Sequence, residues 1–161
     1  MTPSRPGPWA RGLGLTLVSV GSDVVLGAPG LVRALQDGID RQSDVALPPA
    51  PDGATWYAVR EGGETVAVAL VRRDYPRAGV ATLLAVAVDP ARRGRATATK
   101  AILVAERKLA AEGYAPLLVR VPRTNGRGLY FMLRTGFVPV PPGERPDDPD
   151  DVTWFARRVL G

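Results

Sequence analysis

The residues best suited to chemistry lie in one stretch, Val86-Ala87-Val88-Asp89-Pro90-Ala91-Arg92-Arg93-Gly94-Arg95-Ala96-Thr97-Ala98-Thr99-Lys100. Arg92, Arg93 and Arg95 alternate with the small residues Gly94, Ala96 and Ala98, just ahead of a segment with helical spacing. Small residues let an anion approach the backbone, and arginine supplies charge. The first turn of a helix adds unpaired N–H groups at the positive end of the macrodipole. The chemistry this points to is the binding of a phosphorylated ligand. A plain strand–turn–helix with solvated arginines has the same spacing, so the spacing alone leaves both readings open.

The flanking elements are legible. Gly79 to Val88 is an apolar run with the length and β-branched content of a buried strand. Asp89-Pro90 ends it, because proline lacks a ladder donor and restrains the residue before it. From Thr97 the period changes: Ala98, Ala101, Ile102, Ala105 and Leu109 fall on one helical face. Gly113 stands where a helix C-terminus needs a residue free to take positive φ.

Composition removes several other chemistries. The chain of 161 residues has no cysteine and no histidine. That excludes disulfides, thiolate nucleophiles, imidazole bases, Ser-His-Asp triads and most zinc sites. Hydrophobic content of 45% with 23% charged residues is that of a globular protein. No apolar run reaches the length of a membrane span, and Met1 to Trp9 has no secretory h-region, so a cytoplasmic location is expected. The charge of +5 invites a nucleic-acid reading. However, the basic residues are scattered, and the aromatics do not interleave with them as stacking platforms would. Only Lys100 and Lys108 of the 21 basic residues are lysine. The basic turn is better explained by a small phosphorylated ligand than by nucleic acid.

With these residues in view, the stretch Val88-Asp89-Pro90-x-Arg92-Arg93-Gly94-Arg95-Ala96-Thr97-Ala98 resembles the coenzyme A loop of the GNAT superfamily of N-acetyltransferases. That loop reads Gln/Arg-x-x-Gly-x-Gly/Ala after a strand ending in proline. Arg93 holds the first position and Ala98 the last, whereas Ala96 stands where the family usually has glycine. A second match follows in order, Val121-x-x-x-Asn125-x-x-Gly128 and then Gly136-Phe137, and the likeness of element order runs from Gly14 to Leu160. The resemblance implies an α+β fold, an α/β/α sandwich with a mixed, mostly antiparallel twisted sheet of about six to seven strands flanked by helices. A single domain over 13–161 would follow a flexible segment, 1–12.

The order of elements agrees with that expectation. Leu13 to Val20 reads as a first strand, and Gly27 to Asp44, with Leu31, Val32, Leu35 and Ile39, as an amphipathic helix. Leu47 to Gly53 is a proline-rich connector. Thr55 to Arg60 and Thr65 to Val71 are strands joined at Glu61-Gly62-Gly63-Glu64, a hairpin signal. Ala115 to Val121 is a strand, Gly126 to Thr135 a short helix, and Phe137 to Val140 and Val152 to Val159 the last strands.

The resemblance also implies a cofactor and an activity. Acetyl-CoA would wedge between the strand before the loop and the strand after the helix, with pantetheine pairing to the open backbone edge. Ala85, Val86, Ala87 and Val88 would hold that arm. Arg93, Gly94, Arg95, Ala96, Thr97, Ala98 and Thr99 would cradle the pyrophosphate. Asn125 would bond the arm near its thiol end, or cap the helix that starts at Gly126, or both. No metal is implied. The acceptor would be a primary amine, on a small molecule or a peptide, attacking the thioester directly. The family's tyrosine acid falls on Met132, which would then line the arm instead. No carboxylate lies in Ala81 to Val88, so a base is sought outside it, with Asp74, Tyr75 and Tyr130 as catalytic candidates. Tyr130 and Phe131 read more readily as core or pocket wall. The loop Glu144 to Asp151 has a net charge of −4, from five acids and one arginine. It is either a solvated loop or, through Asp147, Asp148, Asp150 and Asp151, an acceptor site attracting a cationic amine. A non-catalytic acyl-CoA-binding module is the rival reading, and a homodimer remains open.

Overall fold

Hydrophobic alternation and β-branched content build a sheet around Glu64–Arg73, whose residues 66–71 are buried on both faces. A computed structural model describes residues 7–39, 50–141 and 152–157. In order it contains β1 (Ala10–Gly12), β2 (Leu15–Val20), α1 (Ser22–Leu26), α2 (Pro29–Ile39), β3 (Ala54–Glu61) and β4 (Glu64–Arg73). There follow β5 (Ala81–Val88), α3 (Thr97–Ala111), β6 (Leu117–Pro122), α4 (Gly126–Arg134), β7 (Phe137–Pro139) and β8 (Val152–Arg157). Among the described residues one sheet has eight strands in the order β1-β2-β3-β4-β5-β6-β8-β7. The β5–β6 pair is parallel and every other pair antiparallel.

The β3–β4 hairpin turns at Gly62 and Gly63, with φ of 60° and 86°. Two positive φ values in a two-residue loop define the hairpin turn whose twist matches the strands it joins. One sheet face is covered by α1 and α2, where Val25, Leu31, Ala34 and Leu35 pack on Val68 and Ala87. The other is covered by α3. Its Ala101, Val104 and Ala105 meet Leu17, Val59 and Ala67, while Ile102 and Leu109 join Ala69, Val71, Leu83 and Val119.

Three expectations need correction. The sheet has eight strands rather than six or seven, because part of the segment expected to be flexible is strand β1. Trp9 anchors it: its N–H donates to the Leu17 carbonyl (2.8 Å), and its ring stacks on Tyr57 (4.2 Å between centroids). Its indole Nε1 donates to Glu112 (2.7 Å), which also accepts from Arg73 Nε (3.1 Å), and Arg73 in turn donates to the Tyr57 hydroxyl (2.7 Å). Secondly, the helix expected from Gly27 starts at Pro29 and is preceded by a short helix that was not expected, α1. Pro29 has no N–H with which to continue α1 but suits the first turn of α2. Thirdly, Tyr130 is not a core residue, since it is 62% exposed. The rest of the expected helix to Asp44, the start of the proline-rich connector, the acidic loop and the end of the last strand lie outside the described residues.

Candidate cofactor and acceptor site

The site is built by a sheet that opens partway along its parallel pair. β5 and β6 pair only at Ala81 with Leu117, Thr82 with Leu118 and Leu83 with Val119. Beyond that point β6 pairs with β8, and β5 runs on to Val88 paired with β4 alone. The divergence starts where the β4–β5 register shifts. Leu70 pairs with Ala85 and Val71 with Leu83, so Leu84 is an extra residue. A bulge of this kind bends its strand and increases the local twist. The result is a stretch of β5, Leu84 to Val88, whose β6-facing edge is unpaired, inside the sheet rather than at its margin. That stretch carries Ala85, Val86, Ala87 and Val88, the residues expected to take an extended ligand.

The open edge leads into the basic turn. The Asp89 N–H donates to the Val66 carbonyl (2.9 Å), and the Asp89 carboxylate accepts from the Ala91 N–H (3.0 Å), starting a 3₁₀ turn at Pro90–Arg92. The Arg92 guanidinium pairs with Glu64 at the start of β4, while Arg93 and Arg95 are exposed. Gly94 and Ala96 both have left-handed backbone, with φ of 87° and 58°. The left-handed Ala96 explains the glycine usual there in the resembling family: the backbone, rather than contact with a ligand alone, disfavours a Cβ. The first helical bond of α3 runs from the Lys100 N–H to the Ala96 carbonyl (3.0 Å). The N–H groups of Thr97, Ala98 and Thr99 precede it and have no acceptor within the helix. The donors and charge that a pyrophosphate requires are therefore together at the end of the open strand, and the residues present fit a coenzyme A.

The remaining candidates separate. Asn125 caps α4, its Oδ1 accepting from the Gly128 N–H (2.9 Å). A Cβ at position 128 would lie 2.5 Å from Asn125 Nδ2, so this capping geometry requires the glycine of the Asn-x-x-Gly motif. Met132 is 2% exposed, packed in the cluster that holds Leu83, Val119 and Phe137. Tyr130, two residues earlier, lies on the opposite helical face, with the Arg134 guanidinium 5.4 Å from its ring. Asp74 and Tyr75 are in the β4–β5 turn, at the paired end of β5 and away from the stretch that opens after Leu83. There Asp74 accepts from the Gly79 N–H (3.0 Å) and the Tyr114 hydroxyl (3.2 Å), while Tyr75 packs against Trp154. These contacts shape the turn. Asp147, Asp148, Asp150 and Asp151 lie outside the described residues.

On the α1–α2 side of the sheet, a cavity of about 250 Å³ is bounded by Val24, Ala28, Gly30, Thr65, Val68 and Asp89. Among the described residues no group of three or more acidic side chains is gathered to hold a metal ion. No helix among them is long and apolar enough to cross a membrane.

Comparison with known proteins agrees with the geometry. No curated protein matches the sequence. An acetyltransferase from Thermus thermophilus superposes with a TM-score of 0.64 at 22% identity, over 91% of this chain and 98% of that one. A Bacillus subtilis acetyltransferase in complex with CoA gives 0.62 at 14% identity, over 92% and 100%. A GNAT family acetyltransferase from Elizabethkingia anophelis with acetyl-CoA bound gives 0.61 at 11% identity, again over 92% and 100%. At these identities the likeness establishes the fold. The sequence model of the acetyltransferase (GNAT) family matches residues 31–137, about two thirds of the chain, and the protein belongs to that family.

Proposed function

We propose that the protein is an acetyl-CoA-dependent N-acetyltransferase that passes an acetyl group to a primary amine by direct attack. The observation that carries this reading is the continuity of the open β5 edge, Leu84 to Val88, with the basic turn and the unpaired N–H groups of α3. Acetyl-CoA would supply an activated acyl group as a thioester. Ala85 to Val88 would bind its extended arm through backbone N–H and C=O groups, and one of those N–H groups would draw charge from the thioester carbonyl. Arg93, Arg95 and the N–H groups of Thr97, Ala98 and Thr99 would hold the pyrophosphate. Asn125, already fixed as a cap, would offer its amide to the arm. The apolar walls of β4 and β5 would exclude water and favour an amine in its neutral, nucleophilic form.

Acetyl-CoA is expected to raise the melting temperature by mass action, and Arg93→Glu to abolish the shift by setting like charges at the pyrophosphate. An undiminished shift in that variant moves the cofactor away from this turn.

A second reading, an acyl-CoA-binding module without turnover, is favoured by one observation. Met132 is buried where related enzymes place a tyrosine acid, and Tyr130 points away from it. Loss of a general acid typically slows a reaction by about 10²–10⁴-fold, which leaves a slow enzyme rather than an inert one. CoA release that depends on added amine distinguishes enzyme from module. A screen over polyamines, amino acids, aminoglycosides and peptide N-termini would identify the acceptor.

A further inference from the structure

The three arginines of the basic turn are in two different situations. Arg93 and Arg95 are exposed, whereas Arg92 is half-buried and its guanidinium pairs with the Glu64 carboxylate. Glu64 is the first residue of β4, placed by the hairpin at Gly62 and Gly63 and by its pairing with Glu61 of β3. Two residues along β4, the Val66 carbonyl accepts from the Asp89 N–H (2.9 Å). Within the turn, the Arg92 N–H donates to the Asp89 carbonyl (2.8 Å) and the Ala91 N–H to the Asp89 carboxylate (3.0 Å). Residues 89–92 are therefore closed on themselves and tied to the start of β4, once through the main chain and once through the ion pair.

The other end of the turn is fixed by Thr97, which is buried at the start of α3. Between these anchors lie 93–96, all exposed, with left-handed backbone at Gly94 and Ala96. The stretch left free to shape itself around a ligand is 93–96 rather than 89–96. A shorter free stretch has less conformational freedom to lose, and a loop already held in its bound shape binds more tightly for that reason. A pyrophosphate diester carries one negative charge on each phosphate, and Arg93 and Arg95 supply a cation for each without Arg92.

We propose that Glu64 is a positioning residue for the cofactor: through Arg92 it moors the first half of the basic turn to β4 and leaves the second half to hold the pyrophosphate. The inference rests on the reading of the turn as a cofactor site. Its signature is a sign. Glu64 has the same charge as the ligand, so neutralising it should tighten binding if attraction between charges alone decided the affinity. The mooring requires the opposite.

The test is CoA affinity, measured by calorimetry on the full chain in about 0.15 M salt, where exposed charges more than about 8 Å apart are largely screened. Glu64→Gln and Arg92→Gln are each expected to weaken binding about threefold, within what an exposed ion pair is typically worth. The two variants change the net charge in opposite directions, so a common loss does not come from attraction to the phosphates. The double variant should bind no more weakly than either single one, because both remove the same link. Exchanging the partners, Glu64→Arg with Arg92→Glu, should return the affinity to within about twofold of the wild type, whereas Arg92→Glu alone should not. In turnover, KM for acetyl-CoA should rise in Glu64→Gln by the same factor as the affinity falls, with kcat unchanged.

Tighter binding in Glu64→Gln, or an exchanged pair as weak as Arg92→Glu alone, makes Arg92 a phosphate ligand and overturns the proposal. Unchanged affinity in Glu64→Gln also overturns it and leaves the cofactor reading standing. A wild type that does not bind CoA overturns that reading, and the mooring falls with it.

Discussion

At the scale of single residues, Ala96 and Gly128 show how backbone demands sit beneath what resembles a ligand motif. Ala96 takes φ of 58° at the start of α3. A Cβ in that region costs about 1–2 kcal/mol, and replacing it with glycine costs about 0.4–1 kcal/mol through the unfolded chain. Ala96→Gly is therefore expected to stabilise the protein by about 0.5 kcal/mol, the difference of the two terms. A urea midpoint that falls would contradict this. Gly128 is constrained from the other direction, since any Cβ there displaces the Asn125 amide. Gly128→Ala gains helix propensity of up to about 1 kcal/mol and loses a cap worth about the same. Stability should thus change little, whereas KM for acetyl-CoA rises if Asn125 binds the arm. An unchanged KM would confine Asn125 to its role as a cap.

At the scale of elements, α3 and the strands β3 to β6 were legible because each carries its own period and its own punctuation. β1 was not. Ala10-Arg11-Gly12 has no strand signature, and its pairing is set by Trp9 through partners at Leu17, Tyr57 and Glu112, distant in sequence. Helix α1 is not legible either, because five residues are too few to show a helical period. The exposure of Tyr130 is not legible, because residue type says nothing about which face of a short helix the sheet will cover. Residue types mark the basic turn as a candidate anion site, but the opening of the sheet beside it depends on a bulge at Leu84 that no turn residue announces. Side chains far apart in sequence also lock elements together. Arg157 of β8 donates to Glu106 of α3 (Nη2 to Oε1, 2.7 Å) and to the Thr135 carbonyl after α4 (2.8 Å), with its guanidinium 4.3 Å from the Phe137 ring. Both partners are partly buried, so Glu106→Ala should cost about 1–2 kcal/mol, between the surface and interior limits for an ion pair. Glu106→Gln, which keeps an acceptor, should cost less. Equal losses in the two variants would mean that packing, and not the charge, holds the clasp.

For the molecule as a whole, the cluster that fastens β1 contributes to the response to pH. Burial alone would raise the pKa of Glu112, but the hydrogen bonds from Trp9 and Arg73 outweigh it and hold the carboxyl below its usual value. A lowered pKa stabilises the fold above the unfolded value, near 4.3, and that stability is lost as pH falls through the folded value. Burial raises the Tyr57 phenol above its usual value despite Arg73 beside it. The unfolded chain then gives up that proton first, and stability falls as pH rises past about 10. Urea midpoints should therefore decline at both extremes. Glu112→Gln should flatten the acid limb only, and an acid limb as steep as that of the wild type would assign it to other carboxylates. The opening in the sheet has a different consequence for the whole molecule. Sheet margins are commonly guarded against other chains by charge, proline or short length, yet this free edge lies mid-sheet along an apolar strand, shielded by the two halves of the sheet that diverge around it. A metabolite slender enough to enter would complete the ladder where another protein would not fit. On the proposed function, acetyl-CoA bound along this edge would stabilise the fold by mass action, and the lifetime of the protein in a cell would follow the supply of that ligand.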